Sequence, residues 1–203
     1  SINIHNVMKR ILLLWSLFLG IVGYGQEEKL DIKTIIKEAE AGSAIAQYNL
    51  GMLYMLGAEN FPQSATEAVK WWEKSAIQGQ DLAQTRLGWA YENGIGTIVS
   101  YSKAVEWYQK ASTQGNKEAQ EYLGFCYMYE RGVAKDYIRA FHLFEKAAQD
   151  DEFGEGRAGA QMGLGTCYKM GRGVPKDDEK ANYWFEKACK GGIEQACKIL
   201  SLK

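Results

Sequence analysis

The stretch Ala160-Gln161-Met162-Gly163-Leu164-Gly165-Thr166-Cys167-Tyr168-Lys169-Met170-Gly171-Arg172-Gly173-Val174 decides how the chain is read, because its pattern occurs three more times upstream. The dipeptide Ala-Gln stands at 46–47, 83–84, 119–120 and 160–161. Four residues after each alanine comes Leu-Gly, at 50–51, 87–88, 123–124 and 164–165, and three residues after each of those glycines comes a tyrosine: Tyr54, Tyr91, Tyr127 and Tyr168. A glycine also lies four residues ahead of each alanine, at Gly42, Gly79, Gly115 and Gly156. Six columns that coincide over four copies are not chance. The intervals are 37, 36 and 41 residues, with a further 36 to Ala196, and a period of this size marks a stacked array.

Within a copy, alanine, leucine and tyrosine fall at i, i+4 and i+8, on one face of a helix. The glycine after each leucine lies on that face too, where a missing side chain lets a neighbouring helix come close. A second block follows: Ala68, Trp72 and Ser75; Ala104, Tyr108 and Ala111; Ala140, Phe144 and Ala147; Ala181, Phe185 and Ala188. Small, large, small at i, i+4 and i+7 is again one helical face. Gly94-Ile95-Gly96, Arg131-Gly132-Val133 and Gly171 to Pro175 separate the blocks as helix stops and turns. Each copy therefore reads as two antiparallel helices, A then B, and neither can bury its apolar face alone. Residues 29–41 read as a lone B helix and 193–202 as a short final A helix, so both ends look like caps. The expected fold is all-α: an α/α solenoid of about four helix-turn-helix repeats with terminal capping helices, the repeats near 42–78, 79–114, 115–155 and 156–191 and a partial one at 192–203.

These columns closely resemble the Sel1-like repeat family, a relative of the tetratricopeptide repeats. The matching residues are the Ala-Gln-x-x-Leu-Gly-x-x-Tyr-x-x-Gly-x-Gly-Val stretch at 160–174 and the Lys187-Ala188 type of B-helix end. The resemblance covers residues 39–203. It departs from the pattern at Ala58-Glu59-Asn60-Phe61-Pro62, at Glu130 where glycine is usual, and in an acidic insertion around Asp150 to Gly154.

Ahead of the array, Lys9 and Arg10 precede the apolar run Ile11 to Val22, interrupted by Ser16 and Gly20, and Gly23 and Gly25 place small residues before Gln26. This is the pattern of a secretory signal over 1–25, cut near Gly25–Gln26, and twelve apolar residues are short for a span of about 20. The expected location is periplasmic or secreted. Total charge is nearly balanced, 24 Lys+Arg against 25 Asp+Glu, so nothing in it favours nucleic acid or an anionic membrane.

Catalytic and metal-binding patterns have simpler readings. Ser100-Tyr101-Ser102-Lys103 matches Ser-x-x-Lys, but Ser100 shares its column with Ser64, Asp136 and Asp177, which is the position of a helix N-cap. His142 shares a polar column with Lys70, Glu106 and Asn182 and reads as a solvated residue. No Cys-x-x-Cys, no histidine pair and no phosphate loop occurs, and no cofactor or metal is expected. The resemblance carries an enzymatic alternative, since the family's cysteine-rich branch is associated with weak β-lactam binding and hydrolysis. That branch also has a bridged cysteine pair with the spacing and place of Cys189 and Cys197. The resemblance therefore implies a disulfide here, contributing roughly 2–3 kcal/mol for so short a loop. Cys126 and Cys167 share a column with Leu53 and Ala90 and read as buried thiols.

By analogy with the tetratricopeptide relatives, the A helices line a concave face where a protein or peptide partner would lie. The residues expected there are Tyr48, Met52, Met55, Arg86, Trp89, Tyr122, Phe125, Met128, Tyr129 and Met162, a set of adaptable and rigid apolar contact groups with one guanidinium. Trp89 and Phe125 are central to it. The expected protein is a monomeric, exported adaptor or scaffold that binds a protein or peptide and is not an enzyme.

Overall fold

The structure, a computed structural model, describes residues 32–57, 61–149 and 156–202. The signal-like segment 1–25, its cleavage point and the insertion at 150–155 lie outside the described residues. From Lys33 onward, the helices described below belong to one compact unit, Lys33–Lys203.

Ten helices occur among the described residues: α1 (Ile32–Glu40), α2 (Ala44–Leu56), α3 (Ala65–Ile77), α4 (Asp81–Asn93), α5 (Tyr101–Thr113), α6 (Lys117–Tyr129), α7 (Tyr137–Ala148), α8 (Ala158–Met170), α9 (Asp178–Lys190) and α10 (Glu194–Ser201). Four hairpins, α2–α3, α4–α5, α6–α7 and α8–α9, stack in sequence, each second helix packing on the first helix of the next. This is the all-α solenoid expected from the columns, with α1 as the lone second-type helix and α10 as the partial first-type helix at the ends.

The glycine after each leucine explains how a hairpin closes. A Cβ built on Gly51 would lie 2.5 Å from the Trp72 ring, on Gly88 2.6 Å from Tyr108, on Gly124 2.6 Å from Phe144 and on Gly165 2.5 Å from Phe185. The aromatic side chain of each second helix occupies the volume its own first helix leaves empty. All four rings are buried, and burying each contributes on the order of 2–3 kcal/mol. Alanines on both sides of each ring (Ala68, Ala104, Ala140 and Ala181, for example) keep the helix pair close and are themselves buried.

The glutamines of the first three Ala-Gln pairs join their hairpins to the preceding helix. Gln47 Nε2 donates to the Ala39 carbonyl at 3.1 Å, Gln84 to Ala76 at 3.1 Å and Gln120 to Ser112 at 3.4 Å. These acceptors lie in the last turn of the preceding second helix, where carbonyls have no partner within their own helix. Gln78 and Gln114 then donate to the Gln47 and Gln84 side-chain oxygens at 2.7 and 2.8 Å. A buried amide thus serves both the previous hairpin and its own.

The turns repeat as well. The backbone N–H groups of Ser64, Ser100, Asp136 and Asp177 donate to the carbonyls of Tyr54, Tyr91, Tyr127 and Tyr168. The same four side chains cap the second helices, accepting from Glu67, Lys103, Arg139 and Lys180 N–H. At the turn after α6, Glu130 takes the left-handed conformation (φ 58°) that Gly94 and Gly171 take elsewhere, so the missing glycine is replaced without changing the turn. Two residues on, Gly132 (φ 69°) lies against the backbone of Tyr101 with no room for a side chain.

At the C-terminus Cys189 and Cys197 are joined by a disulfide, with Cα atoms 4.9 Å apart, and the bond ties the end of α9 to α10. Cys126 and Cys167 are buried thiols. Burial pushes each thiol up to about 12, with the nearby Glu92 carboxylate adding to the effect at Cys126.

Replacing Gly88 with alanine tests the closure of a hairpin. The added methyl group meets the Tyr108 ring, and the expected loss is roughly 1–3 kcal/mol in urea unfolding, although alanine is the better helix former by about 1 kcal/mol. A gain in stability from Gly88→Ala would contradict the close approach.

Candidate partner-binding face

The residues expected to meet a partner lie on α2, α4, α6 and α8, and the structure separates them into groups. Trp89, Tyr122, Phe125 and Tyr129 come together around a cleft of about 310 Å³ between α4 and α6, with Glu92, Asn93 and Arg131 completing its wall. Positions 89, 92 and 93 share one stripe of α4, and 122, 125 and 129 share one stripe of α6. Phe125 and Tyr129 stack with ring centroids 6.1 Å apart, and the inner edge of Phe125 meets Phe144 of the core at 4.9 Å. Tyr129 is exposed and Trp89 half-buried.

Tyr48 and Arg86 belong to a different group. Arg86 pairs with Glu118 at 3.1 Å, and Glu118 also accepts from the Tyr122 hydroxyl at 3.3 Å. Burial pushes the Tyr48 hydroxyl above its ordinary pKa, against the opposing pull of Arg86. Burial does the same to Tyr122, up to about 12, with Glu118 adding to it. Met52 and Met55 lie half-buried against the main core, and Met162 against the C-terminal cluster.

Met128 is a correction: it is 1% exposed and part of the core. It lies four residues after Gly124, so it shares the face that receives Phe144 instead of pointing to the open side. The same geometry brings Glu92, four after Gly88, to the Tyr108 hydroxyl, which donates to it at 2.9 Å.

Sequence reasoning missed the role of Glu121. Its column holds Tyr48, Thr85 and Met162, yet its carboxylate is buried between two repeats. Arg157 Nε donates to it at 3.1 Å, and so does the Ala160 backbone N–H, also at 3.1 Å. Ser43, Gln80 and Asn116 cap their own first helices, at Ala46, Ala83 and Ala119. Arg157 holds the same position in α8, and a guanidinium cannot accept a hydrogen bond. Glu121, from the preceding repeat, supplies the missing acceptor. Gly159 makes room for it, since a Cβ there would sit 2.5 Å from the carboxylate. The sequence signal was an arginine at a capping position followed two residues later by glycine.

Ser100 Oγ accepts from the Lys103 backbone N–H at 3.5 Å, and its equivalents Asp136 and Asp177 do the same at 3.0 Å. His142 is exposed and pairs with Glu145 at 3.0 Å. No cluster of three or more potential metal ligands occurs among the described residues, and no helix among them is long and apolar enough to cross a membrane.

The sequence model of one family, the Sel1 repeat, matches residues 44–80, 81–116, 117–151 and 158–193, more than half of the chain. The chain belongs to the Sel1 repeat family. Two solved Sel1-type structures resemble it. A protective antigen of uropathogenic Escherichia coli displaying an SLR fold is 34% identical with a TM-score of 0.76, over 85% of this chain and 36% of that one. A Sel1 repeat protein of Oxalobacter formigenes is 35% identical with a TM-score of 0.72, over 82% and 64% of the two chains. A component of an ERAD-associated E3 ubiquitin-protein ligase, HRD3A of Arabidopsis thaliana, is 30% identical over 70 residues, which is 34% of this chain and 10% of that protein. The chain therefore spans only part of the length of these relatives. Sel1 repeats generally mediate protein–protein interactions.

Two substitutions test these local readings. Glu121→Ala leaves the Ala160 N–H and the Arg157 guanidinium without their carboxylate, for an expected loss of roughly 1–3 kcal/mol. A double-mutant cycle with Arg157→Ala should show coupling above about 0.5 kcal/mol, and strict additivity would argue against the shared cap. Ser100→Ala should cost about 1 kcal/mol in thermal or urea unfolding and Ser100→Asp close to none. Equal destabilisation by both would exclude the cap.

Proposed function

We propose that this Sel1 repeat chain is an exported, monomeric adaptor that binds a protein or peptide on the concave face formed by its first helices. The observation that carries the proposal is the cleft between α4 and α6. It gathers four aromatic side chains at the open side of a fold whose core columns are already filled by leucine, alanine and the second-helix rings. Aromatic groups arranged around a cleft are anchors for a partner's side chains.

Export is supported by two independent features. Residues 9–25 have the arrangement of a secretory signal, and the Cys189–Cys197 disulfide suits an oxidising compartment. Binding is favoured over acyl chemistry because Ser100 is engaged in capping α5, as three other residues cap the equivalent helices.

The test uses Trp89→Ala together with Tyr129→Ala, which removes cleft wall while leaving Phe125 on the core. Affinity capture from the exported fraction should lose the protein that co-elutes with wild type, while helicity by circular dichroism stays unchanged. A partner retained in full by the folded double variant would remove the cleft from the binding surface.

A further inference from the structure

The cleft between α4 and α6 already holds a cation, and it comes from the chain itself. Arg131 stands on the turn after α6. Its guanidinium reaches across to the preceding repeat, 3.1 Å from Glu92 Oε1 and 5.7 Å from the centre of the Tyr129 ring. The two partners are anchored very differently. The Glu92 side chain is 12% exposed, and its second oxygen is held from beneath by the Tyr108 hydroxyl at 2.9 Å. Arg131 is 49% exposed, on a turn, at the end of a long side chain. The acid is built into the floor, whereas the arginine lies over it.

The position of Glu92 is also particular to this repeat. The equivalent residues are Met55, Met128 and Lys169, so none of the other three repeats places a carboxylate there. Around it stand Trp89, Tyr122, Phe125 and Tyr129. Ring faces attract cations, and a fixed carboxylate among them adds to that attraction. An anion brought to Arg131 would meet the Glu92 charge directly and the negative faces of the rings, a like-charge arrangement that opposes binding.

We propose that this cleft recognises an arginine side chain of an extended peptide, and that Arg131 occupies the arginine position until the partner displaces it. The inference rests on the adaptor reading and deepens it by naming the chemistry of the guest. Displacement conserves the charge balance of the site: one guanidinium leaves Glu92 for water as another arrives. Arg131 is half exposed on a turn, and the arriving guanidinium keeps Glu92 paired, so Arg131 can be moved without leaving a buried carboxylate uncompensated. Arg131 is a competitor of the partner, and Glu92 is its receptor.

The experiment is an NMR titration of the folded, disulfide-bonded chain, following the Trp89 indole N–H. The probes are acetyl-Ala-Arg-Phe-Arg-Ala-amide and the same peptide with glutamate in place of arginine. The arginine peptide should shift the Trp89 signal and the glutamate peptide should not. Arg131→Ala should tighten the arginine peptide by about fivefold, because the resident competitor is gone. Glu92→Gln, which keeps a side-chain oxygen for Tyr108, should weaken it by about tenfold. Thermal melts of both variants check that each remains folded. Preference for the glutamate peptide, weakened by Arg131→Ala, would overturn the assignment of the guest while leaving a peptide-binding cleft, and the adaptor reading, intact. Loss of arginine-peptide binding in a folded Arg131→Ala variant would also overturn it. A silent Trp89 signal with both peptides overturns the proposal, whereas the adaptor reading is decided separately by the capture experiment on the Trp89 and Tyr129 double variant.

Discussion

A hairpin of this chain closes where an aromatic side chain on its second helix fills the space of a side chain its first helix lacks. Trp72, Tyr108, Phe144 and Phe185 each lie within 2.6 Å of the place a Cβ would take on Gly51, Gly88, Gly124 or Gly165. The pairing fixes the distance and the register of the two helices together, since any larger residue at the glycine would force them apart. It also explains why the four rings differ in chemistry while the glycines do not. Indole, phenol and phenyl rings can all fill the slot, but only hydrogen can vacate it.

The joins between hairpins use polar groups, and they are less uniform. Buried glutamines carry the first joins by binding carbonyls at the ends of preceding helices. Between the third and fourth repeats a carboxylate takes part, with Glu121 capping a helix that is not its own. There Gly159 lets the third and fourth first helices approach directly, while Gly163 lies against the Phe144 ring of α7. Between the second and third, Arg86, Trp89 and Tyr122 stand at the junction instead, and the cleft forms beside them. The binding face is thus uneven because the junctions are, and the differences lie in a few small residues.

Periodicity made the architecture legible. The alanine, leucine, glycine and tyrosine columns report one face of one helix repeated four times, and the caps at Ser64, Ser100, Asp136 and Asp177 could be identified from their shared position. What a column could not show was contact across repeats. Met128 has the spacing of a groove residue on its own helix but is buried in the core. Glu121 has the composition of a surface position, and its burial depends on an arginine and a glycine more than thirty residues away. Asn93 and Arg131 join the cleft from a helix end and a turn, where the column pattern stops.

The glycine–aromatic contact is internal to a hairpin, yet the hairpin's remaining apolar faces are covered only by its neighbours. Stability should therefore belong to the row and not to the unit. The most direct measurement is circular dichroism of a peptide spanning residues 81–113, which contains α4, α5 and the whole Gly88–Tyr108 contact. Little helicity and no cooperative melt are expected from it alone. A native-like helical spectrum with a sharp thermal transition would contradict the account, because it would make each hairpin a self-sufficient domain.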